Sequence, residues 1–174
     1  LQLLFLPAGE ACFLPAMTPD LPVRAVADGE KAAGALLHGI TGSGKTHVIK
    51  AAIDKVVSMG RQVIVLVPEI ALTPQTVETF CSFYGDRVAV WHSGLSAGER
   101  YDAWRKITSG GADVCIGTRS AVFAPFKNLG MIVIDEEHEH TYKSESDPKY
   151  HARDVAAYRC GKTNSLMLLA SATP

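Results

Sequence analysis

The stretch Gly39-Ile40-Thr41-Gly42-Ser43-Gly44-Lys45-Thr46 reads G-x-x-x-x-G-K-T, the pattern of a phosphate-binding loop. The pattern needs a strand before it and a helix after it. Ala35-Leu36-Leu37-His38 is a short, mostly apolar run suited to a buried strand. After Lys45, apolar residues recur at Val48, Ile49, Ala52, Ile53 and Val56, the spacing of a helical stripe, and Gly60 stands where a helix C-terminal glycine belongs. Gly42 and Gly44 let the loop curl so that successive N–H groups point inward at phosphate oxygens, and the positive end of the new helix faces the same anion. We therefore expect Gly39, Thr41, Gly42, Ser43, Gly44, Lys45 and Thr46 to bind a nucleotide. Lys45 would reach the β- and γ-phosphates, and the Thr46 hydroxyl would ligate Mg²⁺.

From Ala35 onward, apolar runs alternate with amphipathic segments. The residues 62–67 form a continuous apolar run with β-branched bias. Thr73-Pro74 starts a helix that ends near Gly85, with threonine as N-cap and proline in the first turn. The residues 88–91 read as a strand, and Ser96-Ala97-Gly98-Glu99 is a capping box that opens a helix ending by Gly110. Three further short apolar runs follow, at 113–116, 131–134 and 165–170. Fully apolar strands alternating with helices imply an α/β domain, a mostly parallel sheet covered on both faces. Its ligands bind at the C-terminal edge of the strands, where the motifs fall.

Met131-Ile132-Val133-Ile134 runs straight into Asp135-Glu136-Glu137-His138. Asp135 at the strand tip can hold Mg²⁺ opposite Thr46, and Glu136 can orient and deprotonate an attacking water. An acidic cluster after a strand is by itself a solvated loop; the phosphate loop in the same sheet favours the metal reading.

The whole chain has 174 residues, 47% of them hydrophobic, with a net charge of −1. That is an ordinary globular composition, without the strong basic excess that announces a nucleic-acid-binding domain. Cys12, Cys81, Cys115 and Cys160 are scattered without a C-x-x-C pair, which argues against zinc and against a disulfide framework. Buried free thiols in a reducing cytoplasm are the expectation. The apolar stretch 1–6 lacks a basic flank and breaks at Pro7, so neither a signal peptide nor a membrane span is read there. Residues 1–33 carry Pro7, Pro15, Pro19 and Pro22, which oppose a long regular element. We expect them to be a linker or the remnant of an upstream domain, and 34–174 to be the nucleotide-binding domain. Leu1 in place of Met, and Pro174 directly after an apolar run, suggest a fragment cut at both ends.

The loop and the Asp135-Glu136-Glu137-His138 box together resemble the DEAH-type box of superfamily-two helicases. Val67-Pro68-Glu69-Ile70-Ala71-Leu72-Thr73-Pro74-Gln75 resembles motif Ia of that group, and Gly117-Thr118-Arg119-Ser120-Ala121-Val122-Phe123-Ala124-Pro125 resembles motif Ib. His92-Ser93-Gly94-Leu95-Ser96 with Gly98-Glu99-Arg100 and Trp104-Arg105 is similar to the segment that follows Ia. Ser171-Ala172-Thr173-Pro174 resembles motif III. From about Ala35 to Pro174 the chain resembles the primosomal protein N′ type of replication-restart helicase. The resemblance implies the first RecA-like lobe of an ATP-driven, 3′-to-5′ DNA helicase, active in replication restart and primosome assembly. It implies ATP and Mg²⁺ as cofactors, and single-stranded and forked DNA, primosome proteins and single-strand-binding proteins as partners. A second lobe with an arginine finger and a cysteine-rich zinc insertion are implied for full-length members. Two positions depart from the pattern. His47 stands where Glu is expected, and Leu21 stands where Gln of an adenine-reading motif after Thr18-Pro19 is expected.

Thr73, Thr118, Arg119 and Ser120 fall at strand ends and offer hydroxyls, N–H groups and a guanidinium to phosphates. The plainer readings are an N-cap for Thr73 and an intradomain salt bridge for Arg119. The segment 138–154 resembles the aromatic-rich loop of related helicases. Tyr142, Tyr150 and His151 would stack on bases, with Lys143, Lys149 and Arg153 beside phosphates, coupling DNA to the nucleotide site. Its plainer reading is a polar surface loop with tyrosines packed on the sheet. Two other classes stay open: a different P-loop ATPase, and a catalytically silent binding module. A transporter ATPase would carry a signature motif before the acidic box, which is absent, and a kinase would need a phosphoryl-acceptor pocket.

Overall fold

The computed structural model describes residues 2–6, 12–14, 34–40 and 42–172. The sites expected at Thr41, at Thr18, Pro19 and Leu21, and at Thr173-Pro174 lie outside these residues. Eight strands form one sheet: β1 (Gln2–Leu6), β2 (Cys12–Leu14), β3 (Gly34–His38), β4 (Gln62–Leu66), β5 (Val88–Trp91), β6 (Val114–Gly117), β7 (Leu129–Ile134) and β8 (Leu166–Ser171). Their spatial order is β2-β1-β3-β8-β7-β4-β6-β5. The six strands from β3 to β5 are mutually parallel, and β1 and β2 add an antiparallel edge. β1 pairs along the whole of β3, from Gln2↔His38 to Leu6↔Gly34, so part of the stretch unread in the sequence belongs to the sheet.

Alternation along each strand divides the apolar side chains between two cores. Val63, Val65 and Val67 face one side with Val133, Leu168 and Leu37. There they meet Ile49, Ala52, Ile53 and Val56 of helix α1 (Lys45–Ser58), and Phe80 and Tyr84 of helix α2 (Pro74–Tyr84) pack against the same cluster. Ile64, Leu66, Ile132 and Ile134 face the other side. They are covered by Ile107 of α3 (Ala97–Thr108) and by Ala152, Ala156 and Cys160 of α4 (Ala152–Thr163). Burial on both faces is why these strands read as unbroken apolar runs.

The helix starts at Thr73 and Ser96 take the expected form. Thr73 Oγ1 accepts from Thr76 N–H, and Ser96 and Glu99 complete a reciprocal capping box. Helix α4 has no counterpart in the sequence reading, which ran a loop to Asp154. Its buried stripe is only Ala152, Ala156 and Cys160, small residues one turn apart among Arg, Asp, Lys and an internal Gly161, so its apolar periodicity is faint. The thiols also depart in part from expectation. Cys115 and Cys160 are buried, but Cys81 is exposed on α2. Among the described residues no helix is long and apolar enough to cross a membrane.

One close approach fixes the tip of β6. A Cβ on Gly117 would lie 1.9 Å from the Trp91 carbonyl oxygen and 2.7 Å from Ala121 Cβ. Both neighbours are held in place by β5 and by the 3₁₀ turn Arg119–Phe123. Gly117→Ala should therefore cost about 3 kcal/mol or more of unfolding free energy. Gly161→Ala, where a Cβ meets nothing within 4 Å inside α4, should stabilise by roughly 0.5–1 kcal/mol. Urea denaturation of both variants checks the pair; equal midpoints would show that the β5–β6 approach carries no constraint.

Candidate active site

The phosphate loop leaves β3 at Gly39, whose N–H donates to the Ser171 carbonyl at the end of β8 (3.2 Å). Gly42 and Gly44 stand at φ 78° and 88°, and neither would meet an atom within 4 Å if it carried a Cβ, so conformation rather than space demands glycine there. Gly44 caps α1 without any side-chain bond, and the first turn holds no acidic residue, so the helix itself supplies nothing to offset its positive end. Lys45 is 8% exposed. Its Nζ donates to the Gly39 carbonyl at 2.7 Å and lies 3.6 Å from Glu136 Oε1.

The acidic box is stitched to the two strands that flank β7. Asp135 N–H donates to the Leu66 carbonyl (2.9 Å), and Glu137 N–H to the Ala170 carbonyl (2.9 Å). Between them Glu136 takes a left-handed backbone, φ 46°, and its N–H donates to Asp135 Oδ1 at 3.1 Å. A non-glycine residue held there costs about 1–3 kcal/mol, a strain concentrated at the residue expected to act on water. Glu136 Oε2 accepts from Ala172 N–H (3.4 Å) and lies 3.7 Å from His138 Nδ1. That ring nitrogen is also 3.1 Å from Ser171 Oγ. Burial, and then the charge of Glu136, push the Asp135 carboxyl above the usual carboxylate range, while the Glu136 N–H and Lys45 pull it back.

One cavity of about 340 Å³ is lined by Gly42, Gly44, Lys45, Thr46, His47, Asp135 and Glu136. The fold thus brings together most of the expected nucleotide residues and both acidic ones. Gly39 contributes its carbonyl to Lys45 instead of lining the cavity. The residues fit a magnesium–nucleotide. A carboxylate and a hydroxyl, Asp135 and Thr46, are the hard oxygen donors that Mg²⁺ takes. The buried Ser43 hydroxyl has no protein partner, beside glycines whose surroundings are open. His47 also lines the cavity, at the position where the resemblance led us to expect Glu.

At the sheet edge the expectations fare differently. Thr73 is exposed, and its hydroxyl serves as an N-cap. Thr118 is 5% exposed, and the Ser120 hydroxyl is buried without a partner. Arg119 forms no salt bridge among the described residues; it donates to the Thr141 carbonyl (3.1 Å) and to the Lys143 carbonyl, with its guanidinium 5.9 Å over the Tyr150 ring. Tyr142 is corrected from a base-stacking residue to a core residue. It is 1% exposed, and its hydroxyl donates to the Leu66 carbonyl (3.2 Å) and the Asp135 carbonyl (2.5 Å). A phenol this deep needs a partner, and the strand tips supply two. Tyr150 is half-buried, edge-on to Phe123 at 5.0 Å. His151 caps α4 through Nδ1, Arg153 pairs with Glu137 at 3.3 Å, and Lys143 and Lys149 are exposed. No local pattern signals the Tyr142 hydroxyl contacts, since a tyrosine in a polar segment looks the same whether it faces water or the core.

Compared with known proteins, residues 23–174 match the DEAD/DEAH box helicase family. The chain is 53% identical over 153 residues to the Replication restart protein PriA of Bacillus subtilis (strain 168), covering 88% of this chain and 19% of that protein. It is 47% identical over 139 residues to PriA of Haemophilus influenzae, covering 80% and 19%. The chain therefore spans about a fifth of the length of these relatives. Among solved structures, RecG bound to a three-way DNA junction superposes with a TM-score of 0.59 at 28% identity, covering 80% of this chain and 18% of that one. The Pyrococcus furiosus Hef helicase domain gives 0.62 at 21% identity, covering 92% and 33%, a likeness of fold. The resemblance to replication-restart helicases is borne out by these identities, and the RecA-like α/β lobe by these neighbours. With its loop, its acidic box and most of its length accounted for, the chain belongs to the DEAD/DEAH box helicase family.

Proposed function

We propose that this chain is the ATP-binding motor lobe of an ATP-driven, 3′-to-5′ DNA helicase that acts in replication restart and primosome assembly in the cytoplasm. The observation that carries the reading is the buried Lys45 ammonium, 3.6 Å from Glu136, in one cavity with Thr46 and Asp135. Residues 34–174 are the motor domain on this reading. Single-stranded and forked DNA, primosome proteins and single-strand-binding proteins are its partners, in keeping with the likeness to PriA. The zinc site of full-length members belongs to segments outside this chain.

In the proposed mechanism the left-handed glycines and the start of α1 hold the triphosphate, and Lys45 exchanges the Gly39 carbonyl for phosphate oxygens. Mg²⁺, when bound, neutralises charge on the phosphates. Asp135 and Thr46 face the same cavity to hold it. Glu136 accepts the proton of the attacking water, with its carboxylate kept in place by Ala172 N–H and His138. Among the described residues no arginine lines this cavity. Arg119 is held by carbonyls and Arg153 by Glu137, so the finger that stabilises the transition state comes from a facing lobe. Coupling to DNA runs through the segment after the box. Arg119 grips the carbonyls on both sides of Tyr142, whose hydroxyl holds the Asp135 carbonyl.

Lys45→Ala should remove most ADP affinity. Losing a charge-assisted contact costs about 1.5–3 kcal/mol, roughly ten- to hundredfold in Kd. Titration calorimetry decides, and equal affinities would sink the site. Glu136→Gln should keep nucleotide binding but slow hydrolysis about 10²–10⁴-fold, because an amide cannot accept the proton. Asp135→Asn should instead raise the Mg²⁺ concentration needed. An identical loss of nucleotide binding in both variants, with no separate hydrolysis defect, would refute this division of roles. The 174 residues alone should bind nucleotide and bind single strands weakly, yet not unwind DNA, since a finger in trans adds about 10³–10⁵ in rate. Robust DNA-stimulated ATPase activity from the purified monomer would place the finger within this lobe.

A further inference from the structure

The segment from Trp91 to Arg100 has no part in the nucleotide site, yet it closes a second, chemically distinct pocket. Trp91, His92, Ser93, Arg100, Ser120 and Phe123 line a cavity of about 290 Å³ at the tips of β5 and β6. Its walls are aromatic. Trp91 is half-buried, and Phe123 keeps 51% of its surface exposed although it already meets the edge of Tyr150. Its polar lining is rich in donors. Gly94 N–H donates to His92 Nδ1 at 3.2 Å, so the neutral imidazole carries its proton on Nε2. Arg100 donates to the Ser93 and Leu95 carbonyls, at 3.4 and 3.2 Å, with no carboxylate partner among the described residues. The Ser120 hydroxyl is buried with no partner, which is rare enough in a folded protein to require a reason.

The floor is rigid. Thr118 N–H donates to the Trp91 carbonyl at 3.2 Å, and Gly117 allows that approach because a Cβ there would lie 1.9 Å from the same oxygen. On the far side of Phe123, Tyr150 carries the Arg119 guanidinium 5.9 Å above its ring. Apolar ring faces beside guanidinium groups form the surface on which unpaired bases stack without sequence preference.

We propose that this pocket is a nucleobase subsite for single-stranded DNA. One base is taken out of the strand's own stack against Trp91 and Phe123. Its carbonyl oxygens face the donors of Ser120 and His92, and Arg100 lies beside the flanking phosphate. Ser120, expected on a phosphate, here belongs to the base. A pocket that offers donors suits a base rich in acceptor oxygens, so thymine fits it well. The inference rests on the single-strand-binding reading above and adds to it a place where the base, rather than the backbone, is held.

The test is fluorescence anisotropy at low salt, with the 174-residue chain and two 15-nucleotide strands. One is oligo-dT and the other is an abasic strand with the same phosphates. The wild-type chain should bind oligo-dT roughly tenfold more tightly, the size of one stacked base. Phe123→Leu, a change at a half-exposed ring, should bring the oligo-dT affinity down to that of the abasic strand and leave the abasic affinity unchanged. Ser120→Ala, which removes only an orphan hydroxyl, should lose part of the dT preference and show that the fold tolerates change at this pocket. Circular dichroism confirms folding of each variant. Equal wild-type affinity for the two strands, or a dT preference intact in Phe123→Leu, overturns the subsite and leaves backbone binding standing. Wild-type binding to neither strand overturns the DNA reading together with the subsite.

Discussion

The ammonium of a lysine that is 8% exposed must be answered by negative charge or by acceptors, and among the described residues Lys45 meets the Gly39 carbonyl and Glu136. The cluster is unbalanced in the other direction too. Asp135 and Glu136 bring two carboxylates into a cavity with one lysine, and burial raises the first of them above its ordinary range. Both imbalances are relieved by a ligand that is anionic where it meets Lys45 and cationic where it meets Asp135. A magnesium–nucleotide has that polarity, so the protein's own electrostatics describe the ligand's charge pattern.

The frame that holds this arrangement is the sheet. β8 lies between β3 and β7, so the phosphate loop and the acidic box sit one strand apart, and the end of β8 touches both. Ser171 accepts from Gly39 N–H through its carbonyl, and its side chain meets His138, while Ala172 reaches Glu136. A change in the position of β8 therefore reaches the lysine side and the carboxylate side together. Val63, Val65 and Val67 on one face and Ile64 and Leu66 on the other leave β4, on the far side of β7, little freedom to slip, since a one-residue shift would reverse both cores.

Much of this was legible in the residues. The glycine spacing and the apolar runs before Gly39 and Asp135 fixed the loop, the box and their common edge, because each rests on a local rule with a physical cause. The capping box at Ser96 and the N-cap at Thr73 were readable for the same reason. Helix α4 was not, because Ala and Cys stripes carry little hydrophobic contrast. Nor was the fate of Tyr142 and Arg119. Both are amphipathic side chains, and whether each turns to solvent or to a carbonyl depends on strand tips distant in sequence: Leu66 is 76 residues from Tyr142. The pairing of β1 with β3 was hidden because a five-residue strand is too short to show a pattern of its own.

The Arg119 contacts also say how the edge can respond to a ligand. The guanidinium is held by two neutral carbonyls, those of Thr141 and Lys143, and by a ring face, with no carboxylate among them. A phosphate is a stronger acceptor than a carbonyl, so the exchange of one for the other is downhill once the charge is near. A salt bridge in the same place would have resisted it. Tyr142 lies between the two released carbonyls, and its hydroxyl is bound to the backbone of Asp135. The phenol stays bound to the strand tips through the Leu66 and Asp135 carbonyls, and Glu137 N–H stays on the Ala170 carbonyl. The structure thus pairs a grip on carbonyls near the surface with a buried one on the Asp135 backbone carbonyl. On the proposed reading, that asymmetry would carry an event at the edge to Asp135 without unpacking the core between them.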